Sequence, residues 1–236
     1  MTDASAMLPV MLIAGGTGSI GAEIARQARA AEWTVVVHGR NPAKADIALD
    51  LNEADAAARL IDQTVALHGR LDAVIDCVST GVPGITGLFP DTDPASYAPF
   101  YDVSAAWFQR LSHAAYPHLK ARGGTLIAFI SDAGKFAAPR QTSIGAARAA
   151  TIGFVRNLAM EAARDLIRVH AISPSYVAGS ASAARMGSER MATAEKRAGL
   201  GLPCAADIAP LALFLCSPGA EKITGQIISV NGGLNA

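Results

Sequence analysis

Short apolar runs at 10–13, 33–37, 71–78, 125–130, 168–172 and 227–230 alternate along this chain with stretches of helical periodicity at 20–31, 53–68, 94–121, 143–164 and 205–216. Runs so short, bounded by Gly, Pro or polar residues, suit strands buried in a parallel sheet. A parallel strand reaches its neighbour through a crossover, and each helical stretch supplies one. The alternation therefore predicts an α/β protein with a doubly wound (Rossmann) parallel sheet and helices on both faces. A length of 236 residues holds one core of this kind, so residues 1–236 are read as a single domain. The segment 174–203 lacks a clean strand or long helix pattern and is expected as a mobile flap over a site. The link from Arg40 to Asp46 is short enough to be a turn, which leaves that edge of the sheet open.

Twenty basic residues balance twenty acidic ones, so no global field favours nucleic acid or an anionic membrane. No run of about 18 apolar residues could span a bilayer, and residues 1–7 lack a basic leader. Cys77, Cys204 and Cys216 are an odd set without Cys-x-x-Cys spacing, each among apolar neighbours. They read as reduced, buried thiols of a cytoplasmic protein, with no metal site implied.

Ala14-Gly15-Gly16-Thr17-Gly18-Ser19-Ile20-Gly21 follows the first apolar run and opens the first helical stretch. Gly15, Gly18 and Gly21 suit a turn that brings backbone close to a pyrophosphate, with the amides around Thr17, Ser19 and Ile20 at a helix N-terminus. Such a loop also serves as a plain strand–helix turn, but its position favours a dinucleotide. The second run ends His38-Gly39-Arg40 with no acid to accept a ribose 2′-hydroxyl. Arg40 offers a guanidinium for a 2′-phosphate, which favours NADP(H) over NAD(H), or else is a solvated turn residue.

Two further stretches carry a resemblance. Residues 127–134 read Ile-Ala-Phe-Ile-Ser-Asp-Ala-Gly, and residues 141–161 form a helical stretch beginning Gln-Thr-Ser-Ile-Gly-Ala-Ala-Arg. Together with the glycine loop and the run Ile223-Thr-Gly-Gln-Ile-Ile-Ser-Val-Asn-Gly-Gly233, they resemble the short-chain dehydrogenase/reductase family over nearly the whole chain. The resemblance implies that Ser131 orients a substrate oxygen and that Asp50, ending the third strand, hydrogen-bonds an adenine; as a bare Asp before a helix, Asp50 equally suits a cap neighbour. Ile144, thirteen positions after Ser131, stands where the family has its proton-transferring tyrosine, and Arg148 stands where it has a lysine. Isoleucine has no proton to give, and a guanidinium stays charged, so Arg148 anchors ribose or substrate oxygens without relaying protons. Tyr176, in the segment that faces the nicotinamide in relatives, is the candidate replacement acid; its other reading is an aromatic packing a flap.

Other family marks differ: Ala14 and Ser19 replace a Thr and a Gly, Asp76-Cys-Val-Ser79 replaces Asn-Asn-Ala-Gly, Ser104 stands for an active-site Asn, and His170 and Ser175 for an Asn and a Gly. Tyr116-Pro-His-Leu-Lys120 matches Tyr-x-x-x-Lys by letter, but no serine lies thirteen positions earlier and the stretch ends a helix. The resemblance leaves three readings. The first is a divergent NADP(H)-dependent carbonyl reductase or alcohol dehydrogenase whose acid is Tyr176, another side chain or water. The second is an NADP(H)-binding protein without hydride transfer, such as a sensor, inactive subunit or non-redox enzyme. The third is a cofactor-free enzyme like the halohydrin dehalogenases, which use Arg with Ser and Tyr. Residues 82–89 and 186–191 are read as lining for a small, apolar to moderately polar ligand. The resemblance also implies a homo-dimer or homo-tetramer through the long helices at 94–121 and 143–164.

Overall fold

The computed structural model describes residues 7–78 and 81–235; Ser79 lies outside the described residues. Seven strands form one parallel sheet: β1 (Val10–Ala14), β2 (Thr34–Gly39), β3 (Ile47–Ala48), β4 (Ala73–Asp76), β5 (Gly124–Phe129), β6 (Ile167–Pro174) and β7 (Ile227–Val230), in the order β3-β2-β1-β4-β5-β6-β7. Leu12 pairs with Val36 on one side and Val74 on the other, and Ile127 pairs with His170. The order reverses between β1 and β4, which opens a crevice at the carboxyl ends of those strands.

Every residue of β1 and β4 is buried, as strands covered on both faces must be. One face carries α1 (Ser19–Ala30) and α8 (Ala205–Cys216), packed on Met11, Ile13, Ile75 and Ile127. The other carries α2 (Ala56–His68), α4 (Trp107–Lys120) and α5 (Thr142–Ala162), packed on Leu12, Val74, Leu126 and Ala128. Alternate residues of one strand thus feed two separate cores, as the period of two requires.

The helix expected over 94–121 is a composite. A 3₁₀ turn at Pro94–Ser96 leads into α3 (Tyr97–Tyr101), a π-helical turn at Asp102–Ala106, and then α4. The segment 174–203, expected as a mobile flap without a long helix, holds two short helices, α6 (Ala181–Met186) and α7 (Ser188–Arg197). Ser180 caps α6 by accepting the Ala183 amide at 3.0 Å, a local signal the Ala- and Ser-rich composition masked. The third strand stops at Ala48, so Asp50 lies beyond it. Of the three thiols only Cys216 is buried, while Cys77 and Cys204 are partly exposed. Leu88 and Phe89 are exposed, with Phe89 stacked on Tyr97, so much of 82–89 lies at the surface.

Candidate active site

The carboxyl edge of the sheet gathers the glycine turn after β1, Arg40 after β2, Asp76 at the end of β4, Ser131 after β5 and Tyr176 after β6. In a parallel sheet these ends share one edge whatever their distance in sequence. Tyr116 and Lys120 precede β5 and fall at the opposite edge, where Asp165 holds both: the phenol donates to it at 2.7 Å and the ammonium lies at 3.2 Å.

In the glycine turn, Gly15 takes φ +70°, and a side chain there would crowd the Cys77 and Val78 backbone at 3.0 Å. Gly21 lies in the first turn of α1, where a Cβ would come 2.6 Å from the Gly16 Cα, so its lack of a side chain lets the helix seat on the strand. Thr17, Gly18 and Ser19 are exposed and Ile20 half-buried. Gly18 caps α1 with no side-chain hydrogen bond, and the first intrahelical bond runs from the Ala22 amide to the Gly18 carbonyl at 2.8 Å. With no acidic residue in its first turn either, this helix end leaves the Ser19, Ile20 and Gly21 amides to an anion. Arg40 is exposed at the neighbouring strand end. Asp50 is exposed too, and its carboxylate accepts the backbone and side-chain N–H groups of Asn52 at 3.0 and 2.9 Å, which is turn chemistry.

Ser131 begins a 3₁₀ turn, Asp132–Gly134, and its Oγ accepts the Ala133 amide at 3.3 Å, leaving its own proton to donate. That turn lies tightly on α5: a Cβ on Gly134 would be 2.7 Å from the Arg148 Cβ, and one on Gly145 would be 2.6 Å from the Ala133 carbonyl oxygen. Two glycines thereby bring Ser131 and Arg148 onto adjoining elements. The Arg148 guanidinium is buried, with Nη1 donating at 3.4 Å to the carbonyls of Ser104 and Phe129 and Nε without a partner. Ser104 lies in the π turn, whose wider pitch frees a carbonyl that also accepts the Thr151 hydroxyl at 3.1 Å. Ile144 packs beside Ala147, Ile85 and Phe100 in a small apolar cluster. Tyr176 packs with Leu202 against Ala194, Ala198 and Leu234, on the flap side.

Three polar groups had no assigned role in the sequence reading. Asp76 is buried beneath Trp107, whose indole N–H donates to it at 3.2 Å while the Val78 amide donates at 3.1 Å. Burial pushes its carboxyl up to about 6, against the pull of those donors and of the Arg148 charge. The same burial draws Arg148 below its usual value, and Asp76 opposes that. An acid closing an otherwise apolar run was the available signal. Asp132 accepts from the Ser173 and Ser229 hydroxyls at 2.7 and 3.3 Å and from the Asn231 and Asn235 amides at 2.7 and 3.0 Å, joining the ends of β5, β6 and β7. The third, His38, lies against the glycine turn. Among the described residues no three His, Cys, Asp or Glu converge as a metal site, and no helix is long and apolar enough to cross a membrane.

A doubly wound parallel sheet with a glycine turn at its switch point defines a Rossmann-type protein. The family profile described as "Enoyl-(Acyl carrier protein) reductase" matches residues 14–235. The chain belongs to the short-chain dehydrogenase/reductase family. It is 28% identical over 246 residues to "Dehydrogenase/reductase SDR family member 4" of Bos taurus, covering 95% of this chain and 86% of that protein. It is 28% identical over 241 residues to the "7alpha-hydroxysteroid dehydrogenase" of Escherichia coli K12, covering 94% and 92%. A solved structure of the TT0495 protein of Thermus thermophilus superposes with a TM-score of 0.87 at 26% identity, over 95% of this chain and 97% of that one.

Proposed function

We propose that this chain is a single-domain, NADP(H)-dependent oxidoreductase of the carbonyl reductase or alcohol dehydrogenase type, working with an atypical proton-transfer site. The observation that carries the reading is the uncapped first turn of α1, joined to β1 through Gly15 and flanked by the exposed Arg40. The cradle fits a dinucleotide: a Cβ on Gly18 would meet only the Gly15 carbonyl oxygen, at 3.5 Å, so the space before the amides is open. The amides of Ser19, Ile20 and Gly21 hold the pyrophosphate, Arg40 the 2′-phosphate, and Arg148 the ribose or a substrate oxygen. When bound, the nicotinamide supplies or accepts the hydride. Ser131 donates a hydrogen bond from its hydroxyl to the substrate oxygen and orients it, without giving up the proton. With Ile144 read at the family's tyrosine position, the proton is delivered by Tyr176, another side chain or water.

One observation favours a second reading, a dinucleotide-binding protein without hydride transfer. Ile144 fills an apolar cluster, and the ring of Tyr176 is taken up by packing at the flap, so neither serves as a ready acid. Calorimetry with NADPH and NADH, then turnover on a carbonyl panel, separates the readings. NADPH is expected to bind more tightly, and Arg40→Ala to erase the preference, a loss of about 1.5–3 kcal/mol for a charged hydrogen bond. Equal affinities in the parent would overturn the NADP(H) assignment.

A further inference from the structure

β1 ends at Ala14, so the next amides, which leave the sheet ladder at the glycine turn, need acceptors from elsewhere. One residue of β2 supplies two. The His38 carbonyl accepts the Gly16 amide at 2.9 Å, and its Nδ1 accepts the Gly15 amide at 3.2 Å. The opposite ring nitrogen, Nε2, lies 3.2 Å from the Leu49 carbonyl, which can only accept. A single tautomer satisfies both: Nε2 carries the proton and Nδ1 keeps its lone pair. The imidazolium carries a proton on each nitrogen, so its Nδ1–H would confront the Gly15 N–H, donor against donor. We propose that His38 is the positioning residue of the nucleotide loop, holding Gly15 in its left-handed conformation as the uncharged imidazole and releasing the turn on protonation. The consequence for binding rests on the reading of this turn as the dinucleotide site.

Surrounding charges leave the switch to His38 itself. Arg40 follows on β2 and is exposed. Asp46, before β3, accepts the Val37 amide at 2.8 Å, and Asp50 is bonded to Asn52. Arg59 on α2 pairs with Glu53 and Asp55, which precede that helix. Asp76, on β4, is bonded to Val78 and Trp107. None of these is bonded to the imidazole, and His38 is 1% exposed. Burial therefore holds its basicity below the usual 6.5, partly offset by the Leu49 carbonyl.

The test uses ¹⁵N-labelled full-length protein, following the Gly15 amide resonance together with the His38 ring from about pH 8 to about pH 5. NADPH affinity is measured over the same range in the parent, in His38→Asn, whose side-chain oxygen accepts at every pH, and in His38→Leu. The Gly15 resonance should move with the ring titration. Parent affinity should fall by about 2- to 10-fold more than that of His38→Asn on acidification, the loss of one hydrogen bond, while His38→Leu is weakened by a similar factor throughout. The NADPH phosphate and Asp76 titrate in every variant, so the difference between parent and His38→Asn isolates His38. Equal pH dependence in those two proteins, or a Gly15 resonance indifferent to the ring, overturns the proposal. If NADPH binds at no pH the dinucleotide reading falls, and the Gly15 resonance still decides the role of His38. If a variant fails to fold, the parent's own titration decides it.

Discussion

Arg148 and Asp76 show how two side chains alter one site together. The guanidinium reaches the Ser104 and Phe129 carbonyls at 3.4 Å and lowers the cost of burying the Asp76 carboxylate nearby. The sign of the Asp76 effect follows from its direction. A carboxyl raised from its ordinary 3.8 to about 6 holds its proton more tightly when folded. Its contribution to stability is full below 3.8 and lost as pH rises through about 6. Asp76→Asn keeps an acceptor for Trp107 and should flatten that slope, with a gain at neutral pH of up to about 3 kcal/mol relative to the acid limit. His170 runs in the opposite sense: burial and the Arg168 charge lower it to about 4, so its contribution disappears on acidification. Denaturant unfolding of parent and variant at matched pH separates the two, and parallel curves would show that Asp76 is ionised without penalty. The pair also bears on chemistry. Ile144→Tyr with Arg148→Lys and Asp76→Asn should raise NADPH-dependent carbonyl reduction by about 10²–10⁴-fold, the usual contribution of a general acid. Ser131→Ala in that background should remove the gain. NADPH binding without any gain assigns the chain to the non-redox reading.

At the scale of elements, the turn between β1 and α1 separates residues needed for folding from residues open to a ligand. Gly18 has φ −79° and an unobstructed Cβ direction apart from the Gly15 oxygen at 3.5 Å. Gly18→Val should therefore leave the thermal transition within about 0.5 kcal/mol of the parent, as surface changes do, and abolish dinucleotide binding by blocking backbone approach. Gly21→Ala should do the reverse of the first part and lower stability by about 1–3 kcal/mol, since its Cβ would meet the Gly16 backbone at 2.6 Å. Differential scanning calorimetry with a binding isotherm for each variant checks both. A Gly18→Val protein that melts early yet binds NADPH shows that the loop is only a turn.

Across the whole molecule, Asp132 ties the ends of β5, β6 and β7 and the residues after β7 into one network, with Lys135 donating to Ser229 at 2.7 Å on its rim. Removing the carboxylate leaves four donors, on β6, on β7 and in the segment after β7, without their acceptor. Asp132→Ala should cost about 2–4 kcal/mol and lower Tm by about 4–16 °C. A shift within about 2 °C would mean that water replaces the network freely.

The alternation of short apolar runs with helical stretches determined the sheet, its parallel sense and its two covered faces, because burial on both sides and a crossover between neighbours are local demands that sequence expresses directly. The glycine turn was legible for the same reason: Gly15 and Gly21 answer to backbone geometry within a few residues of themselves. Ser131, Ile144 and Arg148 were singled out by resemblance to the family, but their surroundings could not be read. That Ile144 joins Ile85 and Phe100, that the Arg148 charge acts on the buried Asp76 carboxyl, and that His38 supports Gly15 from 23 residues away follow from strand order and side-chain reach. The helices α6 and α7 escaped notice because weak periodicity in an Ala- and Ser-rich segment is completed by packing, not by propensity. Sequence carries the period of each element; which polar groups meet at the carboxyl edge is decided only when seven strands bring their ends together.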